Sequence, residues 1–424
     1  MASSSETNNG GPSAKPAGAS ERPPKKETRP PAAKAAPSEH PGAAKPKVSV
    51  VSLHTAAELQ PYVARWEQLA KNATDPNPFL EPWLFIPGLQ FVAGEELELV
   101  FVERRDGSLM GFFPFLRRKK YHGLPVPTLV SYTHDFHFVQ TPLVHSSYAR
   151  ECLDALFDWL AKESKATLVE LTEYAGDGAF QHAMIHVLGE RDEPYTPVFR
   201  RTRGLYVRQK DADIYLASIA DSEGRRKLRA KERNLGEQAG KVTYEELTSE
   251  ADLPRWASEF LALEASGWKG DRGTAMAADP ARKKFFEEAI GEAYRRKQLE
   301  LTALRVGDRA VAMKCNFLSG GGGFVFKIGY DESLGKFSPG MLLEVDNIRR
   351  MHARTDLQWM DSCAHHKSRL FGDSCNQRKT FETLLVAPAG EGGKFLLSVY
   401  PLAQWVSRQV RVLKKRRAKT SSPS

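Results

Sequence analysis

Lys327, Tyr330 and Asp331 close an apolar run, Glu264 precedes a glycine-rich stretch, and Asp361 follows further on. These are residue types that move protons or hold charge. A tyrosine can protonate a departing anion, and a carboxylate can orient an amine or take its proton. Lys327 interrupts the apolar strand Phe324–Ile328. Under period-two alternation it shares a face with Val325 and Gly329, while Phe324, Phe326 and Ile328 line the other. It then meets a carboxylate or an anionic substrate group, or it is a surface lysine on an edge strand. Asp331 is equally a turn residue bonding its own backbone. Glu264 is equally a helix-end carboxylate, and Asp361 a strand-end cap.

Directly after this strand come Gly335, Lys336, Ser338, Pro339, Gly340 and Met341. Serine suits a helix N-cap, proline suits the first helical position, and glycine admits close approach of another group. A helix start presents unpaired backbone N–H groups and the positive end of the helix dipole, so it can hold a phosphate. Strand, loop and anion-binding helix start is what an enzyme needs to grip the pyrophosphate of an acyl-coenzyme A. Ser338 would cap, Gly340 would give access, and Lys336 would add a charge contact. The same pattern also describes an ordinary capped helix after a strand.

The elements that must position these groups read as two related halves. Residues 48–53 form a strand and 58–73 an amphipathic helix with Leu59, Val63, Trp66 and Leu69 on one side. A hairpin over 97–116 turns at Asp106-Gly107. A helix at about 147–163 and a strand at 167–174 follow. The second half repeats the order: a hairpin over 299–318 turning at Gly307-Asp308, a strand ending at Ile328, a helix at 339–353 and a strand at 357–363. Shifting the first hairpin by 202 positions pairs Glu98 with Glu300, Leu99 with Leu301, Asp106 with Asp308, Phe115 with Phe317 and Leu116 with Leu318. A duplicated α/β unit accounts for this order. Between the halves, helices are expected over 223–240, 252–268 and 281–298. The first carries Arg225, Arg226, Lys227, Arg229, Lys231 and Arg233, either a polyanion grip or a solvated face.

Charge is concentrated at the ends. Residues 1–47 hold 8 Lys/Arg against 4 Asp/Glu, and 407–424 hold 7 Lys/Arg with no acid. The body, 48–406, holds 46 against 48, so the net charge of +9 belongs to the tails. A nucleic-acid binder should carry a basic face on its folded body, and none is indicated. Residues 1–47 lack large apolar side chains; they should be disordered, and they lack the apolar stretch of a secretory signal. No long uncharged apolar run marks a membrane span. Four scattered cysteines point to a reducing compartment. Cys363, His365, His366 and Cys375 match no closed zinc pattern, so no metal is expected.

The strings LEASGWKGDRGTAM (263–276), FKIGYDESLGKFSPGMLL (326–343) and MDSC (360–363), following RRKLRAKERN, resemble the GNAT-superfamily acetyltransferases of the CelD-like, cellulose-biosynthesis-associated type. That family is distantly related to the aminoacyl-tRNA-dependent peptidoglycan transferases. The resemblance covers about residues 50–388. It implies an α/β fold of tandem GNAT-like type, two mixed-sheet halves with a helical insertion. It also implies acyl transfer from acetyl- or another acyl-CoA as co-substrate, with no permanently bound cofactor. The domains would be a tail (1–47), an N-terminal half (48–210), a C-terminal half with the acyl-CoA site (211–390) and a basic amphipathic end (395–424). Trp268, Lys269 and Arg378 would line the acceptor pocket. Relatives carry a tryptophan shortly before that arginine; here Ser374, Cys375, Asn376 and Gln377 lead into Arg378.

The acceptor implied is an amine or hydroxyl on a sugar or polysaccharide precursor. Two competing readings are aminoacyl transfer from tRNA and a catalytically silent scaffold in a polysaccharide synthesis or export complex. In 395–419, Leu402, Trp405, Val406, Val410 and Leu413 recur near helical spacing before a basic cluster. This segment would lie on an anionic membrane surface or dock on the body. The expected location is cytoplasmic, with peripheral contact at the inner membrane face.

Overall fold

A computed structural model describes residues 48–400 apart from 268–272, 274, 365–367 and 389. The first run of elements is β1 (Ser49–Leu53), α1 (Val63–Lys71), α2 (Pro82–Gly88), β2 (Leu97–Glu103), β3 (Leu109–Arg118), β4 (Thr128–Ser131), β5 (Leu143–Val144), α3 (Ala149–Lys162), β6 (Leu168–Ala175), α4 (Ala179–Glu190) and β7 (Tyr195–Val207). Two helices follow, α5 (Ala212–Ile219) and α6 (Ser222–Ala239). The second run is β8 (Val242–Glu246), α7 (Leu253–Ala265), α8 (Pro280–Arg295), β9 (Leu299–Val306), β10 (Arg309–Ser319), β11 (Gly322–Tyr330), α9 (Pro339–Ala353), β12 (Trp359–Asp361), α10 (Arg369–Ser374) and β13 (Gln377–Val386). In this repeat α7 and α8 hold the place of α1 and α2.

One sheet joins both runs, in the order β1-β2-β3-β4-β6-β13-β7-β12-β11-β10-β9-β8, with β5 beside β3. The order is symmetric about its middle. From either end, four strands pair antiparallel and then meet a parallel neighbour, β4 with β6 and β11 with β12. The last strand of each run crosses to the other: β13 lies against β6, and β7 against β12. β13 and β7 pair with each other over ten positions, sealing the halves into a single sheet.

The expected hairpins, the helix at 339–353 and the strand starts at Leu97 and Leu299 are all present. The expected helix at 58–73 differs. Ala57–Tyr62 is a 3-10 turn containing Pro61, and the α-helix begins only at Val63. Proline has no N–H to give to an α-helical ladder, so the turn stops there.

Two apolar layers sandwich the second half. On one face, Phe260 of α7 and Phe286 of α8 pack on Met313, Phe317, Phe324 and Phe326, joined by Phe79 and Trp83 from the first half. On the other, Leu342 and Leu343 of α9 pack on Leu304 and Ala312, with Leu235 of α6 alongside. Each buried leucine or phenylalanine contributes roughly 1.5–3 kcal/mol. These layers hold β11 fixed between α7 and α9, which is what gives the site its geometry.

Candidate active site

β11 pairs with β12 only through Gly322, Gly323 and Phe324. It then continues to Tyr330, and among the described residues no strand pairs with Val325–Tyr330 on that side. An unpaired strand edge can offer backbone N–H and C=O groups to a ligand; Lys327 and Ile328 within it already have partners of their own. The corresponding opening of the first half is filled. There β4 ends at Ser131, and Thr141 accepts a hydrogen bond from the Ala175 amide of β6 through its hydroxyl at 2.9 Å. Asn77 donates to the carbonyls of Val139 and Thr141 and holds that plug in place.

Asp361 stands at the fork itself, opposite Phe324. Its carboxylate is fully buried and accepts from Arg203 Nε at 2.6 Å and Nη2 at 2.8 Å. Burial alone would raise its pKa, but the Arg203 guanidinium holds it below the usual carboxylate range. The expectation that Asp361 reaches the chemistry therefore becomes a structural role: it pins the fork.

The face on which Lys327 lies also differs from simple alternation. The β10–β11 register shifts so that Cys315 faces Lys327 while Asn316 faces Val325, leaving Phe326 as the extra residue of a bulge. Lys327 is thereby turned to the same side as Phe326, toward α7. Its Nζ lies 3.5 Å from Glu264 Oε1 and 5.0 Å from the centre of the Phe136 ring. Ile328 is moved to the opposite layer, against Val325. Glu264 is buried, and its Oε2 accepts from the Met276 amide at 3.0 Å.

Tyr330 and Glu264 line one small cavity of about 20 Å³, together with Leu263, Gly267, Ile328, Gly329 and Glu332. That space suits a single water between carboxylate and phenol. α7 approaches so closely that a Cβ on Gly329 would lie 3.2 Å from the Glu264 backbone nitrogen. The Tyr330 pKa is raised, by burial first and then by Glu332, so the phenol keeps its proton at neutral pH.

Asp331 sits next to this cavity but is engaged elsewhere. It accepts from the amide and hydroxyl of Ser333 and from Arg309 at 2.6 Å. Burial opposes ionisation, yet the Ser333 and Arg309 hydrogen bonds hold its pKa below the ordinary value. It is the turn residue that opens the 3-10 segment Glu332–Phe337.

The start of α9 departs from the expected cap. Ser338 has φ 56° and ψ 53°, and its side chain accepts no bond from the helix amides. An N-cap serine would need extended backbone to aim its oxygen inward. Instead its hydroxyl accepts from Lys231 Nζ of α6 at 2.7 Å. The amides of Met341 and Leu342 bond to the Ser338 carbonyl at 3.0 and 3.1 Å, and Ser338 N bonds to Gly335 O at 2.9 Å. Gly340 is buried beneath the Tyr330 ring, where an added Cβ would stand 3.1 Å from Cδ1. Gly340 thus makes room for Tyr330 rather than giving a ligand direct access. Lys336 donates to Gln238 at 2.9 Å on the exposed surface.

Lys231 is the residue that sequence reasoning passed over. It has no carboxylate within ion-pair distance among the described residues, and it stands at the positive end of a helix dipole, the unfavourable end for a cation. The signal was present: Leu228, Lys231 and Leu235 fall on one stripe of α6, so this lysine faces inward while Lys227 and Arg233 of the basic run face out. Lys227 and Arg233 indeed pair with Glu223 and Glu237 on the solvated side.

The structure brings Lys327, Glu264 and Tyr330 together, with Gly335–Met341 directly behind. Arg378 is not with them. It is exposed, opposite Gly204, and β7 and β12 lie between its strand and β11. Trp268, Lys269, His365 and His366 lie outside the described residues, as does 401–419 of the basic segment.

Comparison with known proteins gives one match to a family model, over part of the chain. Residues 222–369 match the acetyltransferase (GNAT) domain. The match spans α6 through β12, the stretch that carries Lys231, Glu264, Lys327, Tyr330 and Ser338. With the first half repeating its strand order, the chain has the tandem GNAT-like fold that the sequence led us to expect. None of the curated proteins matches the sequence. Among solved structures, FemX aligns at 14% identity over 79% of this chain and 96% of its own, with TM-score 0.48. L-PGS from Bacillus licheniformis aligns at 9% identity over 81% and 96%, with TM-score 0.42. A tandem GNAT protein from the clavulanic acid biosynthesis pathway aligns at 12% identity over 81% and 100%, with TM-score 0.34.

Proposed function

We propose that this protein is an acyltransferase that moves an acetyl or other acyl group from coenzyme A to an amine or hydroxyl. The observation that carries the reading is the pairing of an open β11 edge with Lys231 and the α9 start at its end. A thioester laid beside Val325–Tyr330 would meet the strand edge with its carbonyl oxygen at the positions other than the already engaged Lys327 and Ile328, and its diphosphate would meet the Lys231 ammonium. The matched GNAT domain covers the same residues.

In the transfer step the acceptor lone pair attacks the thioester carbonyl carbon, and the carbon–sulfur bond breaks as the tetrahedral intermediate collapses. Glu264, through the single water its cavity admits, takes the acceptor proton. Tyr330 supplies a proton to the departing thiolate. Lys327 pairs with Glu264 at 3.5 Å and offers a positive charge to the developing oxyanion. Holding donor and acceptor in line supplies much of the remaining acceleration. Among the described residues the fork of the first half is filled, so the transfer centre is assigned to the second half.

The acceptor we favour is a sugar or polysaccharide precursor, as the CelD-like resemblance implies, with the protein in the cytoplasm and 395–419 resting on the inner membrane face. No helix among the described residues is long and apolar enough to cross a membrane. The test is release of free thiol from acetyl-CoA in the presence of a panel of amino sugars and sugar hydroxyls. Acceptor-dependent release supports the assignment. Binding of acetyl-CoA without turnover would favour a silent scaffold, and a salt-sensitive complex with aminoacyl-tRNA would favour aminoacyl transfer.

A further inference from the structure

Five large apolar side chains stand exposed among the described residues: Leu124, Tyr195, Phe199, Ile214 and Phe395. Scattered singly, they would be ordinary surface residues. The strand register instead gathers four of them at one end of the sheet. Tyr195 opens β7 opposite Val386, and the chain leaves β13 there for a helix that starts at 390 and carries Phe395. Val386 also faces Val169 of β6, and the neighbouring Leu168 faces Thr128, where β4 begins. The turn 119–127, with Leu124 in it, leads into Thr128. The fifth residue, Ile214, lies on α5, beyond the opposite end of β7.

Contacts join this end into one surface. Val198 is the extra residue of a bulge beside Phe199, and it packs with Leu396 and Tyr400 on Tyr121, Leu385 and Leu397. The Tyr121 and Tyr400 ring centres are 6.3 Å apart. Above this apolar ground Phe395 is 65% exposed, Leu124 53% and Phe199 49%. Lys119 and Lys120, exposed in the turn that carries Leu124, have no carboxylate within ion-pair distance among the described residues. Glu391 is held by Lys394 at 3.3 Å, Glu193 by Arg191 at 3.5 Å, and Glu170 by the Tyr121 hydroxyl at 2.7 Å. From Tyr400 the sequence runs on to 407–424, with 7 Lys/Arg and no acid.

We propose that this end of the folded body is a docking surface for an anionic bilayer. Leu124, Phe199 and Phe395 enter the boundary between headgroups and acyl chains, and Lys119 and Lys120 meet lipid phosphates. Exposed aromatic and aliphatic side chains beside unpaired lysines are the composition that an interfacial contact needs. The inference extends the membrane placement of 395–419 from the chain end to the body, and it does not depend on the transfer chemistry. It also orients the site. Leu205 and Phe324 both pair with Asp361. Phe199 lies six residues beyond Leu205, and Tyr330 six beyond Phe324, toward the same end. The bilayer therefore sits at the end of the sheet where β11 opens.

The experiment is co-sedimentation of the full chain with phosphatidylcholine vesicles, with and without phosphatidylglycerol. Two variants are compared with wild type, Leu124→Asp/Phe199→Asp and Lys119→Glu/Lys120→Glu. All four positions are exposed, so both variants should fold; their melting temperatures check this. The wild type should partition roughly tenfold more onto the anionic vesicles than onto the neutral ones. Each variant should lose roughly fivefold of that binding although 395–424 is intact. Wild-type binding retained by either variant overturns the inference and leaves 395–419 as the contact. Equal partitioning onto neutral vesicles also overturns it, because the lysines would then read no charge. No sedimentation with either vesicle overturns both the body surface and the tail placement.

Discussion

Lys231 Nζ lies 2.7 Å from the hydroxyl oxygen of Ser338, so an ammonium on α6 is held at the positive end of α9. Helix dipole and ammonium repel one another, and only a hydroxyl dipole intervenes. An incoming phosphate would reverse the sign of that arrangement and gain a charge-assisted hydrogen bond from it.

Replacing Lys231 with alanine should therefore weaken acetyl-CoA binding. A hydrogen bond to a charged group is worth about 1.5–3 kcal/mol, which is roughly 10- to 100-fold in affinity. Lys231→Glu should weaken it further. Isothermal titration measures both, and folding should be little changed because the lysine is only half-buried.

The carboxylates near the strand mouth should separate cleanly by kinetics. Glu264→Gln should lower kcat by about 100-fold, the size expected for loss of a general base. Asp331→Asn should cost no more than a few-fold, since Ser333 and Arg309 already occupy that side chain. Similar losses in both variants would assign the base wrongly.

Tyr330→Phe should lower kcat about 100-fold while leaving acetyl-CoA affinity unchanged. Because burial and Glu332 raise the phenol pKa, the donor is lost only in alkali. The alkaline limb of the kcat profile should lie above the ordinary tyrosine value of about 10, and it should vanish in the phenylalanine variant.

At the fork, Arg203→Met leaves the Asp361 carboxylate buried without its partner. Breaking one side of such a pair costs about 3–5 kcal/mol, readable as a lower denaturation midpoint in urea. In the native protein Asp361 has a folded pKa below its unfolded value. Its contribution is thus fully present above about pH 4 and lost as pH falls through the folded value. Acid unfolding of the wild type should therefore be steeper than that of Asp361→Asn.

Much of the fold was legible because its signals are local. Strand alternation, the Asp106-Gly107 and Gly307-Asp308 turns and the 202-residue offset between Leu97 and Leu299 all report the duplicated unit. The exchange of β7 and β13 was not, because which half a strand joins depends on partners more than a hundred residues away. The site divided in the same way. Tyr330 and Glu264 could be picked out from residue type and setting. Lys327 could be picked out too, but its face could not, because a one-residue bulge reverses period-two reasoning without any mark in the sequence. Ser338 reads as an N-cap by residue type, yet with its left-handed backbone the hydroxyl meets Lys231 instead. Asp361 looked catalytic only because Arg203, its partner, lies 158 residues earlier.

The central claim is that the donor lies along the open edge of β11 and ends at the start of α9. Hydrogen–deuterium exchange of the full chain, with and without saturating acetyl-CoA, tests it most directly. The account expects slowed exchange at the amides of 325–330 and 338–343, with the first-half fork at 128–131 and 168–175 unchanged. Unaltered exchange in 325–343, or protection confined to the first half, would contradict it.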